Sequence, residues 1–232
     1  MKPLRGRSRW AILTVAAVMV ADVAVIWSDL LEIGLMNRLI DEGEVYTALS
    51  EEAFADVQSN DDRQLVVTSI YTVLTIVAIV FFIRWFWSAY WNLRPLGQTE
   101  SRFHPAWAMV SWFIPIFNIW RPKQIANDIW RGSDPSGTTI AADGWKNVSV
   151  PALLGWWWGA WLVFSYLSNA AGRLWWRADT VDSVRTAAIV DAISSGLEIV
   201  TGVLAIAVVR RLTARQLRRA RQIGSAPPEP VP

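Results

Sequence analysis

Charged and apolar residues do not alternate along this chain; they come in blocks. Apolar runs cover 10–35, 65–91, 151–176 and 184–209, with polar or charged stretches between them. A helix rises 1.5 Å per residue, so about 20 residues cross the ~30 Å of hydrocarbon in a bilayer, and each run is long enough. The pattern predicts an all-α, polytopic integral membrane protein with four transmembrane helices in a single transmembrane domain over 1–209. A further apolar stretch, SWFIPIFNIW from Ser111, is shorter and is interrupted by Pro115, with Pro122 close behind. Proline removes a backbone donor and breaks a helix interior, but suits a first helical turn. A proline-broken, re-entrant or interfacial segment is therefore expected over 105–131.

Charge sets the orientation. Lys2, Arg5, Arg7 and Arg9 precede the first run; Arg210, Arg211, Arg215, Arg218, Arg219 and Arg221 follow the last. The positive-inside bias places both ends in the cytoplasm, which requires an even number of crossings. A crossing at 105–120 would make five, so that segment is expected to enter and leave by the inner face. The stretch 36–64 is rich in Asp and Glu and is expected as an outer acidic loop. Residues 210–223 are expected to form a basic cytoplasmic amphipathic helix whose arginines meet anionic lipid headgroups, and 224–232, rich in proline, a disordered tail. The basic N-terminus resembles a signal peptide. Its apolar run, however, exceeds the ~7 to 15 residues of such a leader and lacks a small-x-small cleavage site, so an uncleaved first span is expected.

Composition narrows the chemistry. The chain has 232 residues, no cysteine and one histidine, His104. That removes disulfides, cysteine-rich zinc sites and thiol nucleophiles, and His104 stands in a polar connector with no nucleophile elbow nearby. No glycine loop of nucleotide-binding type occurs, and Gly132, Gly137 and Gly144 read as an ordinary connector. No cofactor, metal or nucleic acid is expected. The 16 tryptophans fall mostly at the inner half of the expected topology, among them Trp85, Trp112, Trp145 and the WWWGAW set from Trp156 to Trp161. Only Trp27, Trp175 and Trp176 fall outward. Tryptophan prefers the headgroup boundary, so anchoring and packing at the inner leaflet are expected.

The stretches WSAYWNLRPLG, HPAWAMVSWFIPIFNIWRPKQIANDIWRGSDP and LLGWWWGAWLVFSYLSN carry a resemblance. Over 81–169 the chain resembles a bacterial membrane-protein family known as domain of unknown function 4328. By position, the motif residues are Trp112, Pro115, Asn118, Trp120, Pro122, Trp130 and Asp134. In that family an arginine often stands where this chain has Ser88; Arg84, one turn earlier, is the candidate replacement. The resemblance implies a bacterial inner membrane and a multi-pass helical architecture, with no activity, substrate or cofactor.

Ionisable residues inside spans are the remaining signal, because they are costly in lipid and usually face protein or water. Asp22 lies in the first span, and Asp191, Ser195, Glu198 and Gly202 recur at helical spacing along the fourth. Thr68, Thr72 and Thr75 form a similar stripe on the second and are expected to face them. Depth places Asp22 level with Glu198, and Arg84 within reach of one carboxylate. Intramembrane aspartyl protease motifs are absent around Asp22 and Asp191. Gly155 and Gly159 form a G-x-x-x-G expected to serve helix packing. The leading expectation is a non-enzymatic structural, interaction or regulatory membrane protein, with anionic lipid and a homo-oligomer or other protein as partners. The alternative is a proton- or cation-coupled transporter or channel using Asp22, Arg84, Asp191, Ser195 and Glu198, and the third is a membrane enzyme acting on lipid.

Overall fold

The computed structural model describes residues 1–46, 49–98, 101–135 and 148–224. Among them the order is α1 (Leu4–Asp41), α2 (Glu51–Trp91), a 3-10 turn (Arg94–Leu96), α3 (Trp107–Val110), α4 (Pro115–Asn118), α5 (Arg121–Gly132), α6 (Ala152–Trp175) and α7 (Val181–Gln222). Among the described residues there is no strand, as the apolar blocks predict. Helices α1, α2 and α7 are long and apolar enough to cross a membrane. The 24 residues of α6 include a tryptophan run, Asn169 and Arg173. Trp145, Gly137, Gly144 and the expected tail beyond Gly224 lie outside the described residues.

Two expected boundaries are corrected. The stretch 36–64 is not an acidic loop: α1 continues to Asp41 and α2 begins at Glu51. Ser50 starts α2, its hydroxyl accepting from Ala53 N at 3.3 Å, and Glu51 and Glu52 follow in the first turn. A serine cap with acids behind it stabilises a helix N-terminus through its free N–H groups and dipole. Residues 210–222 likewise form no separate helix but continue α7 without a break.

The chain divides into two compact units. The first comprises Met1–Thr14, Ala78–Trp158 and Leu204–Pro232. Here the predicted proline break is present. Ile114, ahead of Pro115, is extended at φ −97° and ψ 112°, as the proline ring demands of the residue before it. Helices α3 and α4 have four residues each, and α5 restarts with Pro122 in its first turn. Trp112 sits among Phe82, Phe86, Trp157 and Trp158, with ring centroids 5.7 to 6.5 Å apart. Trp158 donates its indole N–H to Ile119 O at 3.0 Å and Trp85 donates to Thr213 Oγ1 at 3.0 Å. These rings are core, not a lipid surface, although Trp156 is exposed.

The second unit comprises Val15–Val77 and Gly159–Val203. One end is an apolar cluster of Met36, Leu39, Ala53, Val57, Val181 and Val184, with Trp175 packed against it. At the start of α7, Thr180 and Ser183 cap each other: Ser183 N donates to Thr180 Oγ1 at 3.2 Å and Thr180 N to Ser183 Oγ at 2.9 Å. Opposite faces of α2 differ sharply. Leu65, Val66, Ile70, Val73 and Ile76 are exposed, as expected of a surface solvated by lipid.

Candidate functional site

Three helices of the second unit bring acidic, amide and hydroxyl side chains together. Along α1, Val18, Ala21, Asp22, Val25, Ser28, Asp29, Glu32, Met36 and Leu39 are buried, at the three- and four-residue spacing that keeps one helix face inward. The polar members of that face therefore point at protein. Asp22 has no exposed surface, and neither of its oxygens meets a hydrogen-bond donor. Its ionisable neighbours are Glu198 and Asp191 of α7. Two facing carboxyls hydrogen-bond to each other only when one carries a proton, so the pair is suited to holding one. Glu198 is further held by Tyr71 of α2, whose O–H donates to Oε2 at 2.6 Å.

The line of acids continues. Asp191 is within electrostatic reach of Asp22, Glu198 and Asp29, and has the Trp175 side chain beside it. Asp29 and Glu32 then meet an amide network from α2. Gln64 Nε2 donates to Asp29 Oδ1 at 3.2 Å and to Glu32 Oε2; Asn60 Nδ2 donates to Glu32 Oε1 at 3.2 Å. Ser28 Oγ donates to Gln64 Oε1 at 3.0 Å and accepts from Arg63 Nε at 3.1 Å. Arg63 also donates to Ser28 O and Asn60 Oδ1. The arrangement strings carboxyls from Asp22 and Glu198 past Asp191 to Asp29 and Glu32.

Of the expected site residues, the structure assembles Asp22, Asp191 and Glu198, with Ser195 buried on the same helix. Gly202 fits the expected stripe: a Cβ there would stand 2.9 Å from Met19 Cγ, which marks a close approach of α1 and α7. The threonine stripe is corrected in part. Thr68 and Thr72 are exposed, whereas the Thr75 hydroxyl is buried beside Tyr71, and Tyr71 makes the contact with Glu198. Arg84 is placed in the first unit beside Arg7, its carbonyl accepting from Ser88 Oγ. The guanidinium that reaches Ser88 is that of Arg7, which donates to its hydroxyl. Gly155 and Gly159 have open space where a Cβ would stand, so neither marks a close helix approach within the chain. Gly132 is no ordinary connector residue: a Cβ there would press on Leu93 Cδ2 at 3.0 Å and on the buried Gln98 side chain.

The family-motif positions serve the first unit. Trp112 is the hub of the aromatic core, and Pro115, Trp120 and Pro122 mark the breaks before α4 and α5. Asn118 ends α4, and its side-chain carbonyl is buried without a hydrogen-bond donor. Trp130 donates its indole N–H to Ser149 O at 2.9 Å. Its carbonyl and Asp134 Oδ1 receive Arg215 of α7, at 2.9 and 2.8 Å, and the Arg215 guanidinium stacks 4.1 Å over the Trp130 ring. Two expected headgroup arginines are thereby corrected. Arg215 is engaged by protein and Arg219 is buried, whereas Arg210, Arg211, Arg218 and Arg221 are exposed.

Asp29, Glu32, Asn60, Arg63, Gln64 and Tyr71 were not anticipated. The signal was present as the register Ala53, Val57, Asn60, Gln64, Tyr71, a helical face running unbroken through the supposed loop. A family model described as a domain of unknown function (DUF4328) matches residues 49–214. No curated protein and no solved structure matches the chain.

Proposed function

Since the chain belongs to the family of domain of unknown function 4328, a description that names no activity, we propose a role from the side chains alone: a multi-pass membrane protein that carries protons along the carboxyls of α1 and α7. The observation that carries this reading is Asp22, wholly buried, without a donor, and facing Glu198. An ionised carboxylate so placed is expensive in a low-dielectric interior, whereas one that takes and releases a proton through a second carboxyl is a working part of a relay. Asp191, Asp29 and Glu32 extend the relay, and no enzymatic step is needed.

Four crossings, by α1, α2, α6 and α7, complete the reading. Support for α6 is its length, 24 residues or about 36 Å at 1.5 Å per residue. Support for a re-entrant segment between α2 and α6 is that α3 and α4, at four residues each, reach only about 6 Å apiece. Both termini then share the cytoplasmic face of a bacterial inner membrane. A second reading, a scaffold held at the anionic inner leaflet, is favoured by the exposed Arg210, Arg211 and Arg218.

The test is proton uptake by liposomes that hold the full chain and a pH-sensitive dye, under an imposed pH gradient and with valinomycin to clamp the potential. The parent is expected to carry protons, Asp22→Asn to lose at least roughly nine-tenths of that rate, and Arg218→Gln to match the parent. A parent no faster than empty liposomes overturns the reading.

A further inference from the structure

The amide network at the α1–α2 connection end of the second unit has a fixed sense. A guanidinium only donates and keeps its charge, so Arg63 makes Ser28 Oγ an acceptor at 3.1 Å. The one hydroxyl hydrogen of Ser28 is then free to go to Gln64 Oε1, 3.0 Å away. That orients the Gln64 amide with its nitrogen towards Asp29 and Glu32. Arg63 donates to Asn60 Oδ1 as well, which turns Asn60 Nδ2 towards Glu32 Oε1. Amide orientation is ordinarily a matter of assignment; here Arg63 decides it for Asn60, and the acceptor oxygens of Asp29 and Glu32 decide it for Gln64.

The sense matters because an amide is a poor proton relay. Its nitrogen offers hydrogens but no basic lone pair, and its oxygen accepts hydrogen bonds but carries no hydrogen to hand on. A carboxyl differs, since it can take a proton on one oxygen and release one from the other. Past the amides, Met36, Leu39, Ala53 and Val57 belong to an apolar cluster. The other acids within electrostatic reach of this pair are Asp191, near Asp29, and Asp61, near Glu32.

We infer that Asn60 and Gln64 form a collar that limits proton passage along the carboxyl line at this end. Asp29 and Glu32 receive hydrogen bonds from the collar and pass protons outward through it only slowly. The fixed charge of Arg63 adds an electrostatic barrier, as an arginine does beside other membrane pores. The collar rests on the proposed proton role and makes Gln64 the residue that sets its tightness.

The experiment repeats the liposome measurement with Gln64→Glu, which replaces the amide by a carboxyl of the same shape. Asn60→Asp is the second variant in case the first does not fold, with folding judged by circular dichroism and a monodisperse size-exclusion peak. Proton flux is expected to rise roughly tenfold or more over the parent, and to fall back when Asp22→Asn is added. A parent that carries protons, with neither variant faster, overturns the collar and leaves the proton role standing. A rise that survives Asp22→Asn also overturns it, because that leak bypasses the carboxyl line. A silent parent beside a leaking, Asp22-dependent Gln64→Glu supports the collar and removes transport from the parent. Silence in all of them removes both.

Discussion

Asp128 shows what burial does to a single residue. Its side chain in α5 has no exposed surface, and it pairs with Arg102 at 3.8 Å. Burial pushes the carboxyl up to about 6, against the opposing pull of Arg102 and Arg131. The unfolded chain releases this proton near 3.8, so between those values the folded state binds more protons and stability falls as pH rises. About two pH units of displacement correspond to roughly 3 kcal/mol. Thermal unfolding in detergent should therefore show stability declining from pH 4 to 6, and Asp128→Asn should flatten that slope; an unchanged slope refutes the assignment. Residues were legible where depth alone decides, as with Asp22 and Glu198, which share a level because both lie in apolar runs counted from charged ends. Asp29 and Glu32 were not, because acids near the end of an apolar run look like its boundary. Arg84 misled for a related reason: a long cation near a carboxylate in depth need not share its helix face.

Among the elements, the end of α7 is tied down by Arg215. Its contacts with Trp130 O, Asp134 and the Trp130 ring are almost enclosed, with 13% and 11% of the two ion-paired side chains exposed. Removing one partner strands the other charge, which costs roughly 3–5 kcal/mol in such a setting. Asp134→Asn and Arg215→Gln should each lower the unfolding temperature and expose the stretch around Arg218 to trypsin. Arg215→Lys should fail to restore either, since a point charge cannot make both bonds and the stack. A wild-type digestion pattern in all of these variants would contradict the tie. The basic end of α7 was expected to lie on lipid because periodicity counts arginines as polar wherever they point. What revealed its inward face was the spacing of Leu212, Thr213, Gln216, Arg219 and Ala220, all buried. Helix existence was readable from apolar length, and the break at Pro115 from proline chemistry. The extension of α2 back to Glu51 was missed because its acids outweighed a capping serine and an inward-facing Ala53, Val57 and Asn60.

For the whole molecule the governing question is parity. Three helices meet the length and hydropathy expected of a span, and adding α6 returns the chain to the side on which it began. The absence of cysteine permits single-cysteine mapping without background. Thr180→Cys, just ahead of α7, should react with a membrane-impermeant maleimide on intact cells, and His104→Cys only after permeabilisation. Labelling of both from the outside would mean that the broken segment crosses. Arg63 carries a consequence of another kind. Its guanidinium has donors only, so the donors on α2 stay aimed for as long as Arg63 reaches Ser28 and Asn60. What would re-aim them is a sliding of α1 along α2 that parts the Ser28 hydroxyl from Arg63 and Gln64.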